Sequence, residues 1–141
     1  MRQLVLAMSL ASFFGFASAH DFQAGQVWAY KTRDGEAAST LLIDKVESDP
    51  KLGKIFHVSV SGVRVKNPKA ASGLTTDLPH FPVSTQTLEQ SCIRIVGHAE
   101  PNPAYLAGYA EWKRAFDQGQ AGVFTIPVAE IVGGIESAIS R

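Results

Sequence analysis

Three runs of alternating apolar and polar residues between Gly25 and Val65 constrain the fold of this chain more than any other feature. Successive side chains of a strand point to opposite faces of a sheet, so strict alternation is typical of a strand with one covered face. In the third run, Phe56 and Val58 fall on one side, and His57 and Ser59 fall on the other. We therefore predict a half-buried strand, with His57 on the uncovered face.

The dipeptide Asp34-Gly35 separates the first two runs and predicts a tight type I′ hairpin turn. Such a turn places Trp28 opposite Leu41 on one face of the sheet. It also places Arg33 opposite Glu36 as a pair of opposite charges beside the turn. Because arginine binds carboxylates and phosphates through two parallel hydrogen bonds, these two residues are a candidate binding patch.

The beginning of the chain has the pattern of a secretory signal peptide. Arg2 precedes an apolar run from Leu4 to Phe16, which is too short to span a bilayer. The A-x-A site Ala17-Ser18-Ala19 follows it. Cleavage after Ala19 predicts a periplasmic or secreted protein with no membrane span, and residues 20–141 then form a single domain.

Charge and cysteine content exclude several classes of function. Lys and Arg number 13, and so do Asp and Glu, so no basic stripe is left for nucleic acid. Cys92 is the one cysteine, which excludes an internal disulfide, and its apolar surroundings are typical of a buried thiol. No phosphate loop, nucleophile elbow, zinc spacing or nucleotide fingerprint is present. We expect neither a metal nor another cofactor.

Three helices are predicted after the strands. The first begins after Ser84, a favourable N-cap, and Gly97 ends it. Leu88, Cys92 and Ile95 form its apolar stripe. The third begins near residue 127. The second carries four aromatic residues on one face: Tyr105, Tyr109, Trp112 and Phe116.

Together these elements predict an α+β protein with an antiparallel sheet of three or four strands and three helices packed on one face. The core should combine the apolar residues of both element types. We expect the following side chains to be mostly buried: Trp28, Leu41, Ile43, Phe56, Val58, Val60, Leu88, Tyr109, Trp112, Phe116, Ile131 and Ile135.

Residues 66–82 lack any periodicity and are predicted to form a long loop between the sheet and the first helix. Loops of this length are uncommon in small domains and often carry function. Two prolines flank His80 and hold it in an extended pose, with Asp77 nearby in sequence. The end of the loop is expected to lie over a sheet edge or a strand end, and if His57 lies on the uncovered face, His80 approaches it. The candidate binding residues are His80, Asp77, His57, Arg33 and Glu36.

A resemblance adds one expectation. The runs GQVWAYKTRDGE, STLLIDKVE, IFHVSVSGV, LPHFPVS, GYAEWKRAF and GVFTIPVAEIV together resemble a group of small exported bacterial proteins of uncharacterised function. The resemblance implies bacterial export. It implies no activity, ligand or catalytic residue.

Three functions stay open on the sequence. The first is an exported non-enzymatic binding or interaction module of the bacterial cell envelope, whose partner is an envelope protein or a small ligand. The second is a small hydrolase-like enzyme that uses His57 or His80 with a carboxylate. The third is a carrier of a small apolar ligand between sheet and helices. The sequence contains no assembled catalytic set, which favours the first.

Overall fold

One antiparallel sheet organises residues 20–141, which are the residues described by the structure, a computed structural model. The predicted signal peptide lies outside the described residues. Within them the order of elements is β1 (Gln26–Tyr30), β2 (Thr40–Asp49), β3 (Gly53–Lys66), β4 (Leu74–Ser84), α1 (Thr85–Ser91), β5 (Cys92–His98), α2 (Tyr105–Asp117) and α3 (Val128–Ile139).

The sheet has five strands in the order β4-β3-β2-β1-β5. The α+β class and the three helices are confirmed, but the sheet has more strands than the predicted three or four. Two strands are additional: β4, which includes the second half of the predicted loop, and β5, which comes from the second half of the predicted first helix. That helix has Ser84 as its N-cap, as predicted, because the Ser84 hydroxyl accepts a hydrogen bond from Thr87 N.

The predicted helical stripe through Cys92 and Ile95 is wrong. The segment holds the branched residues Ile93, Ile95 and Val96, which favour a strand, and β1 offers it a pairing edge. Trp28 pairs with Ile95 and Tyr30 with Cys92. Tertiary pairing therefore overrides a helical spacing of apolar residues.

The predicted register of the first two strands is confirmed, since Trp28 lies opposite Leu41. The type I′ turn is wrong. Gly35 has a φ of 81°, but no described residue other than glycine has a positive φ, so Asp34 lacks the positive φ that this turn requires. A longer connection, residues 31–39, joins the strands instead.

The predicted long loop over residues 66–82 is also wrong. Its second half belongs to β4, which pairs antiparallel with β3, and only residues 67–73 connect the two strands. The strand tolerates Pro79 and Pro82 because it lies at the edge of the sheet, where a missing N–H group breaks no inner hydrogen bond.

Both faces of the sheet are covered, so neither the half-buried strand nor the packing of all three helices on one face is correct. On the first face, α1 and α3 close an apolar core with the side chains of the strands. On the second face, α2 packs against β3 and β4 and contacts His57. Every residue from Ile55 to Val60 is therefore buried.

The predicted core is confirmed for most of its members. Trp28, Leu88 and Ile131 are buried with the central strand residues, and Trp112 is buried on the second face. Tyr109, Phe116 and Ile135 are only partly buried. Among the described residues, no helix has both the length and the apolar character that crossing a membrane requires.

Candidate functional site

The two histidines predicted to approach each other lie side by side on β3 and β4. His57 Nδ1 and His80 Nε2 are 2.9 Å apart, and the two rings are nearly parallel with centroids 5.2 Å apart. Pro82, two residues after His80, pairs directly with His57 across the two strands. Strand pairing therefore brings the histidines together, rather than a loop that lies over the edge of the sheet.

Glu47 on β2 completes a hydrogen-bonded chain with the two histidines. Its Oε1 lies 2.6 Å from His57 Nε2, and its Oε2 accepts a hydrogen bond of 3.3 Å from the Tyr109 hydroxyl. Sequence reasoning missed Glu47. Glu47 lies two residues after Lys45, and Lys45 pairs with His57 across β2 and β3. This register is the one indication that Glu47 lies near His57.

The chemistry of the carboxylate fixes the direction of this chain. Ionised Glu47 only accepts hydrogen bonds, so His57 Nε2 donates to it, and Nδ1 of the same ring becomes an acceptor. His80 Nε2 then donates to His57. His80 Nδ1 is left as an unprotonated nitrogen. The one hydrogen bond of the His80 ring within residues 20–141 is the bond of Nε2 to His57.

Burial keeps both imidazoles neutral. The His57 side chain is fully buried, which lowers its pKa from the usual value of 6.5, although hydrogen bonding to Glu47 opposes this change. Burial and the charge that His57 would carry together lower the pKa of His80 to about 4. The positive charges of Lys45 and Lys113 further disfavour protonation of His57.

Helix α2 covers the histidines with aromatic side chains. The rings of Tyr109 and Trp112 meet the His57 ring edge-on, with centroids 4.7 Å and 4.8 Å away. Trp112 Nε1 donates to Gly122 O at 2.8 Å, which satisfies its polar atom. A Cβ at Gly108 would lie 3.0 Å from His80 Cβ, so the close approach of this helix requires glycine.

Asp44 is a second buried acid, and sequence reasoning missed it too. Only 3% of the residue is exposed, and burial raises its pKa. Its Oδ1 accepts a hydrogen bond of 2.9 Å from Asn102 N, which ties the segment before α2 to the sheet. The other carboxylate oxygen makes no hydrogen bond of normal geometry among the described residues, although the nearby Ser59 hydroxyl opposes the rise of the Asp44 pKa. The carboxylate follows the core residue Ile43, at an irregularity in the pairing of β2 with β3.

Arg33 and Glu36 form the predicted pair, but their polar atoms are occupied by the protein. Arg33 binds Glu36 through two hydrogen bonds of 2.7 Å and 3.0 Å and reaches Glu136 on α3 at 3.1 Å. Glu36 also accepts a hydrogen bond from Arg64 N. Hydrogen bonding to Arg33 lowers the pKa of Glu36. The two residues join the 31–39 connection to β3 and α3.

Asp77 lies apart from the histidine chain. It is exposed on β4 opposite Ser61, and its carboxylate accepts a long hydrogen bond of 3.4 Å from Thr76. The structure therefore brings together two of the five candidate residues, His57 and His80. Arg33 and Glu36 form a separate cluster.

Metal binding and thiol chemistry find no support in the described residues. No group of three or more His, Cys, Asp and Glu side chains in residues 20–141 has the geometry to hold a metal ion. Cys92 is buried at the start of β5, and burial raises its pKa to about 12. A thiol in that state is protonated and unreactive at neutral pH.

Comparison with known proteins adds no assignment: no protein family, no curated protein and no solved structure matches the chain. The function must therefore be argued from the geometry of the fold.

Proposed function

We propose that the mature protein is an exported, non-enzymatic binding module of the bacterial cell envelope that takes up an extended partner segment along β5. The observation that carries this proposal is the open edge of that strand. β5 pairs with β1 on one side, and no described residue pairs with its other side. An unpaired edge presents a row of N–H and C=O groups that an added strand can bind.

The side chains of β5 suit such a partner. Ile93, Ile95 and Val96 are exposed, with 51% of Ile93 accessible. Two irregularities in the pairing with β1 fall at Ile93 and Val96, which have no partner in β1. Exposed branched residues at an open edge are unfavourable in water, so a strand that covers them gains free energy from their burial.

The opposite edge of the sheet is protected. β4 carries Pro79 and Pro82, and the segment around Phe124 forms a parallel bridge to Val83. Ser84 N donates to Phe124 O at 2.9 Å, and Phe124 N donates to Pro82 O at 3.0 Å. Proteins commonly block exposed edges with proline or a covering segment. Within residues 20–141, both devices occur at β4 and neither occurs at β5.

The charge of the edge specifies the partner further. Arg94 is exposed and is the only residue of β5 that is always charged, and Lys31 lies beside the start of the strand, where its N–H donates to Ser91 O. A partner strand that alternates apolar residues with an acidic residue would cover the branched side chains of β5 and complement the positive charges of Arg94 and Lys31.

Variants of the two edges test the proposal. The double variant Ile93→Lys, Val96→Lys places charges along β5, and the control Thr76→Lys, Gln86→Lys adds the same charge at exposed positions elsewhere. Immobilised wild type and both variants are incubated with periplasmic extract. We expect a partner that the wild type and the control retain and the β5 variant loses. Hydrogen exchange should then show protection of the β5 amides by that partner.

Two outcomes contradict the proposal. Retention of every partner by the β5 variant would exclude the edge as the binding surface. Loss of binding in the variant Asp77→Asn, His80→Gln would instead place the surface on β4, as the sequence pattern predicts.

The Glu47–His57–His80 chain favours a second candidate, a small hydrolase-like enzyme with His80 as general base. A carboxylate behind a histidine pair fixes the tautomer that leaves Nδ1 of His80 free to accept a proton. Yet no serine or cysteine nucleophile hydrogen-bonds to this nitrogen within residues 20–141. The candidate therefore ranks second.

Hydrolysis of activated esters separates the two candidates. An enzyme should show a rate that rises with pH through about 4, where His80 loses its proton, and His80→Gln should abolish that rate. Equal background rates for the wild type and the variant are the result that a binding module gives.

A further inference from the structure

A second surface, distant in sequence from β5, has the features of a small-molecule site. A groove of about 340 Å³ lies between α3 and the segment that precedes it. Its walls are Phe124, Ile126, Ile131 and Ile135, and Gly134 lies between them. Sites for small molecules typically have volumes of about 300–1,000 Å³ and apolar walls with a few polar groups. The groove is therefore large enough for one small ligand.

The wall of the groove is held by hydrogen bonds to side chains of α1. The buried Thr87 hydroxyl lies 3.0 Å from Phe124 O and 2.8 Å from Ile126 O. Val128 N donates to the Ser91 hydroxyl at 3.0 Å. These bonds hold the backbone of the wall in place, and Phe124 and Ile126 keep 39% and 41% of their surface exposed. A preformed apolar wall lowers the entropic cost of binding.

One charge faces the groove. Glu130 is its only charged lining residue, and no cation of the described part of the chain forms an ion pair with this carboxylate. Its position in the first turn of α3 favours a negative charge through the helix dipole. An acidic group beside an apolar wall complements a ligand with an apolar body and a cationic head.

We propose that this groove binds a small cationic amphiphile, with its apolar body against Phe124, Ile131 and Ile135 and its positive group beside Glu130. The site is independent of β5, so its failure leaves the binding-module proposal intact. It gives the carrier function predicted from the sequence a location on the outer side of α3 rather than between sheet and helices.

Two adjacent glycines of α3 provide a matched pair of variants. A Cβ at either Gly133 or Gly134 meets no protein atom within 4 Å, and neither residue has a positive φ. Both substitutions raise helix propensity equally. Only Gly134 lines the groove, so Gly134→Met fills it while Gly133→Met leaves it open.

The test is calorimetric titration of the mature chain with three probes of equal chain length, all below their micellar concentrations: dodecyltrimethylammonium, dodecanol and dodecanoate. We expect the cation to bind about three- to fivefold more tightly than the alcohol, which is the usual size of an exposed charge interaction, and the carboxylate to bind most weakly. Glu130→Gln should remove the preference for the cation. Gly134→Met should weaken binding of every probe more than tenfold, whereas Gly133→Met should bind as the wild type does.

Several results would overturn this assignment. These are equal binding by Gly134→Met and the wild type, tightest binding of dodecanoate, or no binding of any probe. Sedimentation of the free protein provides a further check. A dimer that dissociates in Gly134→Met but persists in Gly133→Met would show that the groove is occupied by a second copy of the chain.

Discussion

The two faces of the sheet are both buried, but they are stabilised by different chemistry. The face that α1 and α3 cover is mainly apolar, with Val58 at its centre, and its few buried polar atoms are paired, as the Tyr30 hydroxyl is with Ser39. The face that α2 covers carries His57 and Ser59, both buried, and the buried carboxylate of Asp44 lies beside this layer. The first face is stabilised mostly by close packing, whereas the second carries titratable groups, and each buried polar atom there needs a partner.

The comparison shows how a buried polar layer can look like a solvent-exposed one in sequence. His57 is satisfied on both ring nitrogens, by Glu47 and by His80. Because these partners come from neighbouring strands, the alternation of β3 alone carries no sign of them. Asp44, with one carboxylate oxygen unpaired, shows that the layer is not fully satisfied. Such groups destabilise a fold and are often retained for function.

Removal of Trp112 should cause the largest loss in the free energy of unfolding, and it acts on the polar face. It is the one buried residue of α2, and its loss would detach the cover of the polar face. We expect Trp112→Ala to lower the free energy of unfolding by about 3–4 kcal/mol in urea titrations. Leu106→Ala, at an exposed position of the same segment, should change it little. Equal losses in the two variants would mean that α2 contributes no burial to the sheet.

Neighbouring substitutions in β3 compare the two faces directly. Val58→Ala should cost about 2 kcal/mol through lost apolar contacts and a residual cavity. We expect His57→Ala to cost about the same, because it leaves Glu47 and His80 without their partner. Both are measured by chemical denaturation at pH 7. A loss for His57→Ala close to zero would restore the half-buried strand that the sequence predicts.

Acidification should weaken the polar face selectively. In the unfolded chain histidine takes up a proton near pH 6.5, whereas folded His80 does so only at about pH 4. The unfolded state therefore binds more protons between these values, so the stabilisation is complete above pH 6.5 and is lost as the pH falls toward 4. Because solvent partly screens His80, we expect a loss of about 1–2 kcal/mol across this range.

The variant His80→Gln provides the control for this pH dependence, since carboxylates also titrate on the way to pH 4. Stability curves of wild type and variant should converge as the pH falls from 6.5 to 4. Parallel curves would show that His80 titrates at the same pH in both states.

The smallest expected effect concerns Asp44. Burial raises the pKa of Asp44, so the folded state disfavours the ionised carboxylate. Stability is therefore lost as the pH rises through the folded pKa of this group. Asp44→Asn keeps an oxygen that accepts from Asn102 and removes the charge. We expect a gain of about 0.5–1 kcal/mol at neutral pH, measured as a rise in Tm.

Asp49→Asn is the matched control for Asp44→Asn, and its expected change in stability has the opposite sign. The Asp49 carboxylate caps a turn by accepting from the N–H groups of Lys51 and Leu52, and these bonds lower its pKa. Loss of the charge should therefore lower stability there. A gain in both variants would indicate an effect of net charge rather than of burial.

Local patterns predicted what depends on neighbouring residues. The predicted pairing of Trp28 with Leu41 is correct although the turn from which it was derived does not form. The period of two contributes the face of each side chain, because a shift by one residue would turn every side chain to the other face. Ser84 was recognisable as an N-cap since capping depends on the next three residues. The apolar face of α3 followed in the same way from its spacing of isoleucines and valines.

Patterns whose outcome depends on distant partners were misleading. The end of α1 and the start of β5 cannot be located from Leu88, Cys92 and Ile95, because their spacing is helical. Pairing with β1, which is irregular at Ile93, makes the second half of the segment a strand. Pro79 argued against a strand, but its edge position removes the objection. The histidine pair was predicted, whereas Glu47 required the register of β2 with β3.

The cluster of Arg33, Glu36 and Glu136 has a consequence for how the chain reaches its folded state. The bond from Arg33 to Glu136 spans 103 residues of sequence, and Lys66 N also donates to Glu136. Contacts between such distant positions form late and slow the folding reaction. The link between the 31–39 connection and α3 can form only after the last turn of α3 has been synthesised. A chain that stops before Glu136 should therefore keep a loose connection between β1 and β2 and be degraded rapidly by proteases.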